Sequence, residues 1–119
     1  MQIPKNAILL RIFIGEKDRS GPHPLYEAIV LKAREMNMAG ATVLRGPIGF
    51  GHSSLLHTAK ILRLSDDLPL IVELVDSEER INSFLPVLDA MMSNGSGLVT
   101  MEKVQVLQYG SGSISAPGL

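Results

Sequence analysis

Residues 40–58 read GATVLRGPIGFGHSSLLHT, and their order decides how the rest of the chain is parsed. Gly40 stands as a helix stop, because glycine takes the left-handed C-terminal position without steric cost. Ala41-Thr42-Val43-Leu44-Arg45 is a short β-prone run. Gly46, Gly49 and Gly51 then fall within six residues, ahead of a polar segment holding His52 and His57. A strand that dissolves into a glycine-rich loop is built to present backbone to something.

Upstream, Leu25, Ala28, Ile29, Ala33 and Met36 recur at helical spacing. Pro24 suits the first turn of that helix, where its missing N–H costs nothing. Residues 16–22 read as a polar loop. Residues 7–14 are apolar except for Arg11, the pattern of a strand buried on both faces. Downstream, residues 59–64 alternate weakly and suggest a return strand, Asp66-Asp67 a turn, and residues 68–75 another buried strand. Asp76-Ser77-Glu78-Glu79 opens a second helix, with an N-cap acceptor and a glutamate able to reach back. Ile81, Phe84, Leu85, Leu88, Met91 and Met92 form its apolar stripe. Pro86 interrupts that helix, a kink costing roughly 3 kcal/mol unless packing compensates. Residues 101–109 read as the last strand. Residues 110–119, rich in Gly, Ser and Pro, read as a flexible tail, which leaves one domain over residues 1–109.

The order is β-α-β-β-α-β. It predicts an α+β, ferredoxin-like sandwich: an antiparallel four-stranded sheet with both helices on one face. A first strand that is apolar on both sides implies that the second sheet face is buried too. A chain of 119 residues has nothing left to cover it except another copy of itself.

Three segments carry a resemblance to the nitrogen-regulatory PII signal proteins. Gly40-Ala41-Thr42-Val43, Gly49-Phe50-Gly51 and His57-Thr58 match in order that family's second strand and long loop. Leu68-Pro69 with Ile71-Val72-Glu73-Leu74-Val75-Asp76 resembles its third strand. Ser93-Asn94-Gly95-Ser96-Gly97-Leu98-Val99 sits where it has a second glycine-rich loop. With His23-Pro24-Leu25-Tyr26-Glu27-Ala28-Ile29, the overall match is to an uncharacterised branch of the PII-like superfamily. The resemblance implies a homotrimer with its sheets facing inward. It implies a metabolite or adenine nucleotide held between subunits, against Gly49, Phe50, Gly51, His52 and Val75 and against Gly95, Ser96 and Gly97. It also implies that the loop over residues 46–59 docks on a partner protein, such as a membrane transporter.

Composition narrows the alternatives. Hydrophobic residues make up 45% and charged residues 19%, a globular balance. A net charge of −1 and five aromatic residues argue against nucleic acid, which asks for a concentrated basic face and stacking partners. The apolar runs are too short to span a bilayer. Met1 leads to polar residues and Lys5 with no apolar core before a cleavage site, so no signal peptide is expected. The absence of cysteine excludes disulfides and thiolate chemistry. A cytoplasmic address fits.

Each motif has a plainer explanation. Gly46 to Gly51 serves equally as a phosphate-binding turn or a strand-end turn. Gly95-Ser96-Gly97 serves equally as a helix cap. His52 and His57, five apart on a loop, do not have helical ligand spacing, and no metal site is expected. No nucleophile elbow, P-loop lysine or His-Glu zinc motif is present, so no enzyme is expected. Where PII proteins follow the second glycine loop with a phosphate-binding lysine, this chain has Leu98. Where they carry arginines near the end of the last strand, it has Gln105, Gln108 and Tyr109. Arg45, Lys60 and Arg63 are the candidate substitutes. A triphosphate lacking cationic partners binds weakly, so the expected ligand is AMP, cyclic AMP or ADP, or none. Two rival readings stay open: a structural or metal-tolerance trimer of the copper-tolerance type without nucleotide, and a small dimeric ferredoxin-like enzyme. Gly97→Val is expected to weaken ligand binding and leave the assembly intact.

Overall fold

A computed structural model describes residues 4–49, 68–93 and 97–114. Its elements are β1 (Asn6–Gly15), β2 (Arg19–Ser20), β3 (His23–Pro24), α1 (Leu25–Glu35), β4 (Thr42–Arg45), β5 (Pro69–Asp76), α2 (Glu78–Met91) and β6 (Leu98–Gln105). The main sheet runs β4-β5-β1-β6, and every neighbouring pair in it is antiparallel. This is the expected ferredoxin-like sheet. The expected return strand at residues 59–64 and the turn at Asp66-Asp67 lie outside the described residues.

One sheet face and one stripe of each helix make the core. Ile8, Leu10, Ile12 and Ile14 of β1 alternate inward, as do Leu70, Val72 and Leu74 of β5. Leu25, Ile29 and Ala33 recur every fourth residue on α1, and Ile81, Phe84 and Leu88 at spacings of three and four on α2. These two periods, two in a strand and 3.6 in a helix, let four short segments close over one apolar layer.

Several boundaries differ from the sequence reading. Helix α1 stops at Glu35 with Met36 as its C-cap, and Asn37, not Gly40, takes the left-handed turn at φ 58. The Met38 N–H donates to the Ala33 carbonyl and the Asn37 N–H to the Arg34 carbonyl, both at 3.0 Å. That is a Schellman closure, and it satisfies the last carbonyls before the chain reaches Gly40. Pro24 is the N-cap rather than a helical residue. The polar loop at residues 16–22 holds half of a small hairpin, with Gly21 at φ 60 opening its two-residue turn. In α2 the Ser77 Oγ accepts from the Arg80 N–H at 3.2 Å. The Ser77 N–H goes to Asp76 Oδ1 at 2.7 Å, so the reach-back expected of a glutamate is made by Asp76. The helix runs through Pro86. The last strand occupies Leu98–Gln105, starting and ending earlier than expected, because Leu98 already pairs with Phe13.

The other sheet face is not wholly apolar. Leu44, Ile71, Phe13 and Leu98 form one row across it, and Thr42, Glu73, Arg11 and Thr100 the next. Arg11 donates to Glu73 Oε2 at 2.9 Å and to Glu102 Oε1 at 2.7 Å. The Glu73 hydrogen bond chiefly raises the guanidinium further above its ordinary pKa. In the single chain this face is half-buried along β1 rather than fully covered.

Candidate functional site at the loop end of the sheet

β1 and β4 finish, and β5 and β6 begin, at the same end of the sheet, because Gly15 pairs with Pro69 and Phe13 with Leu98. Both glycine segments therefore meet this end. Gly46 and Gly49 follow β4 on one edge, and Gly97 precedes β6 on the other.

The glycines there have packing reasons of their own. A Cβ on Gly46 would stand 3.1 Å from Pro69 Cγ, and one on Gly49 3.2 Å from it. The Gly46 N–H donates to the Pro69 carbonyl at 2.8 Å and is not offered to a ligand. Gly97 sits at φ +132, and a Cβ there would lie 2.6 Å from Met92 Cε and 3.1 Å from the Phe13 carbonyl oxygen. A branched side chain at Gly97 therefore strains the fold of the chain itself, besides any effect on a ligand. The position is glycine because β6 must enter the sheet beneath the end of α2, in a backbone conformation L residues avoid.

β4 and β6 are separated by β5 and β1, but Gly49 packs on Pro69 of β5 and Gly97 on Phe13 and Ile14 of β1. Val75 lies six residues along β5 from Pro69, toward the opposite end, roughly 20 Å away. Val75 thus stands away from the glycine end of the sheet. Phe50, Gly51, His52, Gly95 and Ser96 lie outside the described residues, as does His57.

Two charged residues mark this end. Arg45 closes β4 and Glu16 follows β1, and their side chains form an ion pair across the start of β5. The Glu16 N–H is fixed to the Leu68 carbonyl at 2.9 Å. Its side chain is 23% exposed against 59% for Arg45. Glu16 Oε1 is buried and accepts no hydrogen bond from the described residues. Sequence reasoning picked out Arg45 as a cation but missed Glu16, which nothing marks in the chain until β1 and β4 are placed two strands apart.

A cleft of about 600 Å³ opens at the opposite end, lined by Asn6, Ala7, Ile8, Glu78, Lys103 and Gln105 among others. It was not foreseen. The N-terminus of α2 stands there, but Ser77 and Asp76 already take amides of that turn. The lining holds one residue of each charge, Lys103 and Glu78. Among the described residues no group of three or more His, Cys, Asp or Glu side chains is placed to hold a metal ion. No helix among them is long and apolar enough to cross a membrane.

The fold is that of PII-like proteins. CPII from Thiomonas intermedia, a nitrogen regulatory PII-like protein whose structure holds ADP, AMP and bicarbonate, superposes with a TM-score of 0.65. The match covers 85% of this chain and 88% of CPII at 17% identity. A putative PII-like signaling protein from Thermus thermophilus gives 0.61 over 89% of this chain and 93% of that one, also at 17% identity. More particularly, the chain belongs to the DUF190 family, described as uncharacterized ACR, whose sequence profile matches residues 7–106. A UPF0166 protein of Aquifex aeolicus is 35% identical over 99 residues, 83% of this chain and 91% of the relative. One of Methanocaldococcus jannaschii is 36% identical over 95 residues, 79% and 87% of the two.

Proposed function

We propose that this chain is a regulatory protein that binds an adenine nucleotide of low charge, AMP or ADP, at the glycine end of its sheet. The site is shared between copies of a homotrimer. One copy contributes the turn after β4, from Gly49 through His52, and its neighbour the turn before β6, from Gly95 to Gly97. Occupancy alters the segment over residues 46–59, through which a partner protein is controlled.

The observation that carries the reading is that both glycine turns leave the same end of the sheet from opposite edges. A second copy can bring one chain's β4 edge to another's β6 edge. The exposed apolar residues Val43, Leu44, Leu98, Val99 and Met101 on those two edge strands support an edge that is covered in an assembly. The ADP and AMP in CPII support the ligand class. Arg45 and the absence of a cation at Leu98 support few phosphates rather than three.

Calorimetric titration of the purified protein with AMP, cyclic AMP, ADP and ATP, beside sedimentation equilibrium, tests it. A trimer that binds AMP or ADP more tightly than ATP is expected. A monomer at micromolar concentration, or heat signals no different from buffer for all four, refutes the reading.

A further inference from the structure

The geometry points to Glu16 as a built-in competitor for the ligand's phosphate: its carboxylate holds the Arg45 guanidinium, and a phosphate-bearing ligand binds by taking that guanidinium from it. The inference rests on the nucleotide reading above and adds its regulation. Arg45 is the last residue of β4, one position before the first glycine of the loop. It is the cation closest in sequence to that turn. A guanidinium engages a phosphate through paired N–H donors, as it engages a carboxylate, so the two anions compete for one fork.

The partners are unequally held. Glu16 is tied by its backbone to Leu68 and is largely buried, while the Arg45 side chain is mostly in solvent. The guanidinium is therefore the member that moves. The pair is also incompletely satisfied, since Glu16 Oε1 is buried and accepts nothing from the described residues. A carboxylate kept in place with one oxygen unmatched is a poor structural brace. As a competitor it has a consequence: an anionic ligand that uses Arg45 must displace it, and an uncharged ligand gains nothing from Arg45.

The test is titration of AMP, ADP and adenosine into the wild-type protein, Glu16→Gln, Arg45→Gln and the double variant. Glu16→Gln should tighten AMP and ADP by about threefold or more, equivalent to ~0.7 kcal/mol, and leave adenosine unchanged. The gain should vanish in the Arg45→Gln background. Glu16→Asp, which keeps the charge but shortens the reach, replaces Glu16→Gln if circular dichroism finds the latter misfolded, and should tighten binding less. If the wild type binds and the Glu16 variants bind equally or more weakly, the competitor is refuted and the nucleotide site stands. If none of the four proteins binds a nucleotide, the nucleotide reading fails and the competitor falls with it.

Discussion

Gly97→Val tests whether the turn before β6 is glycine for the sake of the fold or of a ligand. The backbone there lies at φ +132, a region L residues occupy only under strain, at about 1–3 kcal/mol. The new Cβ would also stand 2.6 Å from Met92 Cε, 3.1 Å from the Phe13 carbonyl oxygen and 3.3 Å from Ile14 Cγ2. The Met92 terminus is flexible and can move. The Phe13 oxygen cannot, because Phe13 is paired with β5 on one side and β6 on the other. Overpacking of this kind adds about 1–3 kcal/mol. The sum, roughly 2–6 kcal/mol, is a large share of the ~5–15 kcal/mol that holds a domain together. Thermal unfolding should therefore show a midpoint lowered by roughly 10 °C or more. Gly97→Ala should show most of this loss, because it shares the φ and the Cβ. Gly40→Ala is the control, since nothing lies within 4 Å of its Cβ and its φ is ordinary. An unchanged midpoint for Gly97→Val would mean that β6 enters the sheet by another path than the one described.

Asp76→Ala should destabilise the chain by about 2–4 kcal/mol in urea unfolding, because two amides, of Ala39 and Ser77, lose a buried acceptor. Asn37→Val should cost about 1–2 kcal/mol and Asn37→Gly almost nothing, since the position needs φ 58 and not a side chain. An equal effect of the two in denaturant titration would remove Asn37 from its place as the helix stop. Arg11→Ala separates an open sheet face from a covered one. On an open face the stability should barely change. On a face covered by another copy, Glu73 and Glu102 are left without their cation, and association should weaken measurably in sedimentation equilibrium.

The core was legible because apolar spacing is read directly from residue order: the inward sets of β1, β5, α1 and α2 all follow it. The ends of elements were not, for separate reasons. Gly40 looks like the helix stop by residue type, but Asn37 tolerates the left-handed region and comes first along the chain. Leu98-Val99-Thr100 reads as the end of a glycine loop until Phe13 is known to lie opposite. Arg11 reads as a break in an apolar run, and only the register supplies Glu73 and Glu102 from strands 62 and 91 residues away. The glycine turns were found by composition, but their packing against Pro69, Met92 and Phe13 is tertiary. Composition alone therefore overstated how far those glycines are free to serve a ligand.

The separation of the two glycine turns has a thermodynamic consequence for the proposed function. If one nucleotide touches the β4 turn of one copy and the β6 turn of another, it binds the assembled state and not the separated chain. Mass action then requires ligand to strengthen association, by about 2.7 kcal/mol per site at a free concentration a hundredfold above the dissociation constant. Conversely, dilution below the dissociation constant of the assembly must weaken binding. A site complete within one chain shows neither effect. Sedimentation with and without saturating AMP or ADP distinguishes the two arrangements. Association independent of ligand, in a protein that binds it, would place the nucleotide within a single chain, and the 600 Å³ cleft beside Lys103 would then be the stronger candidate.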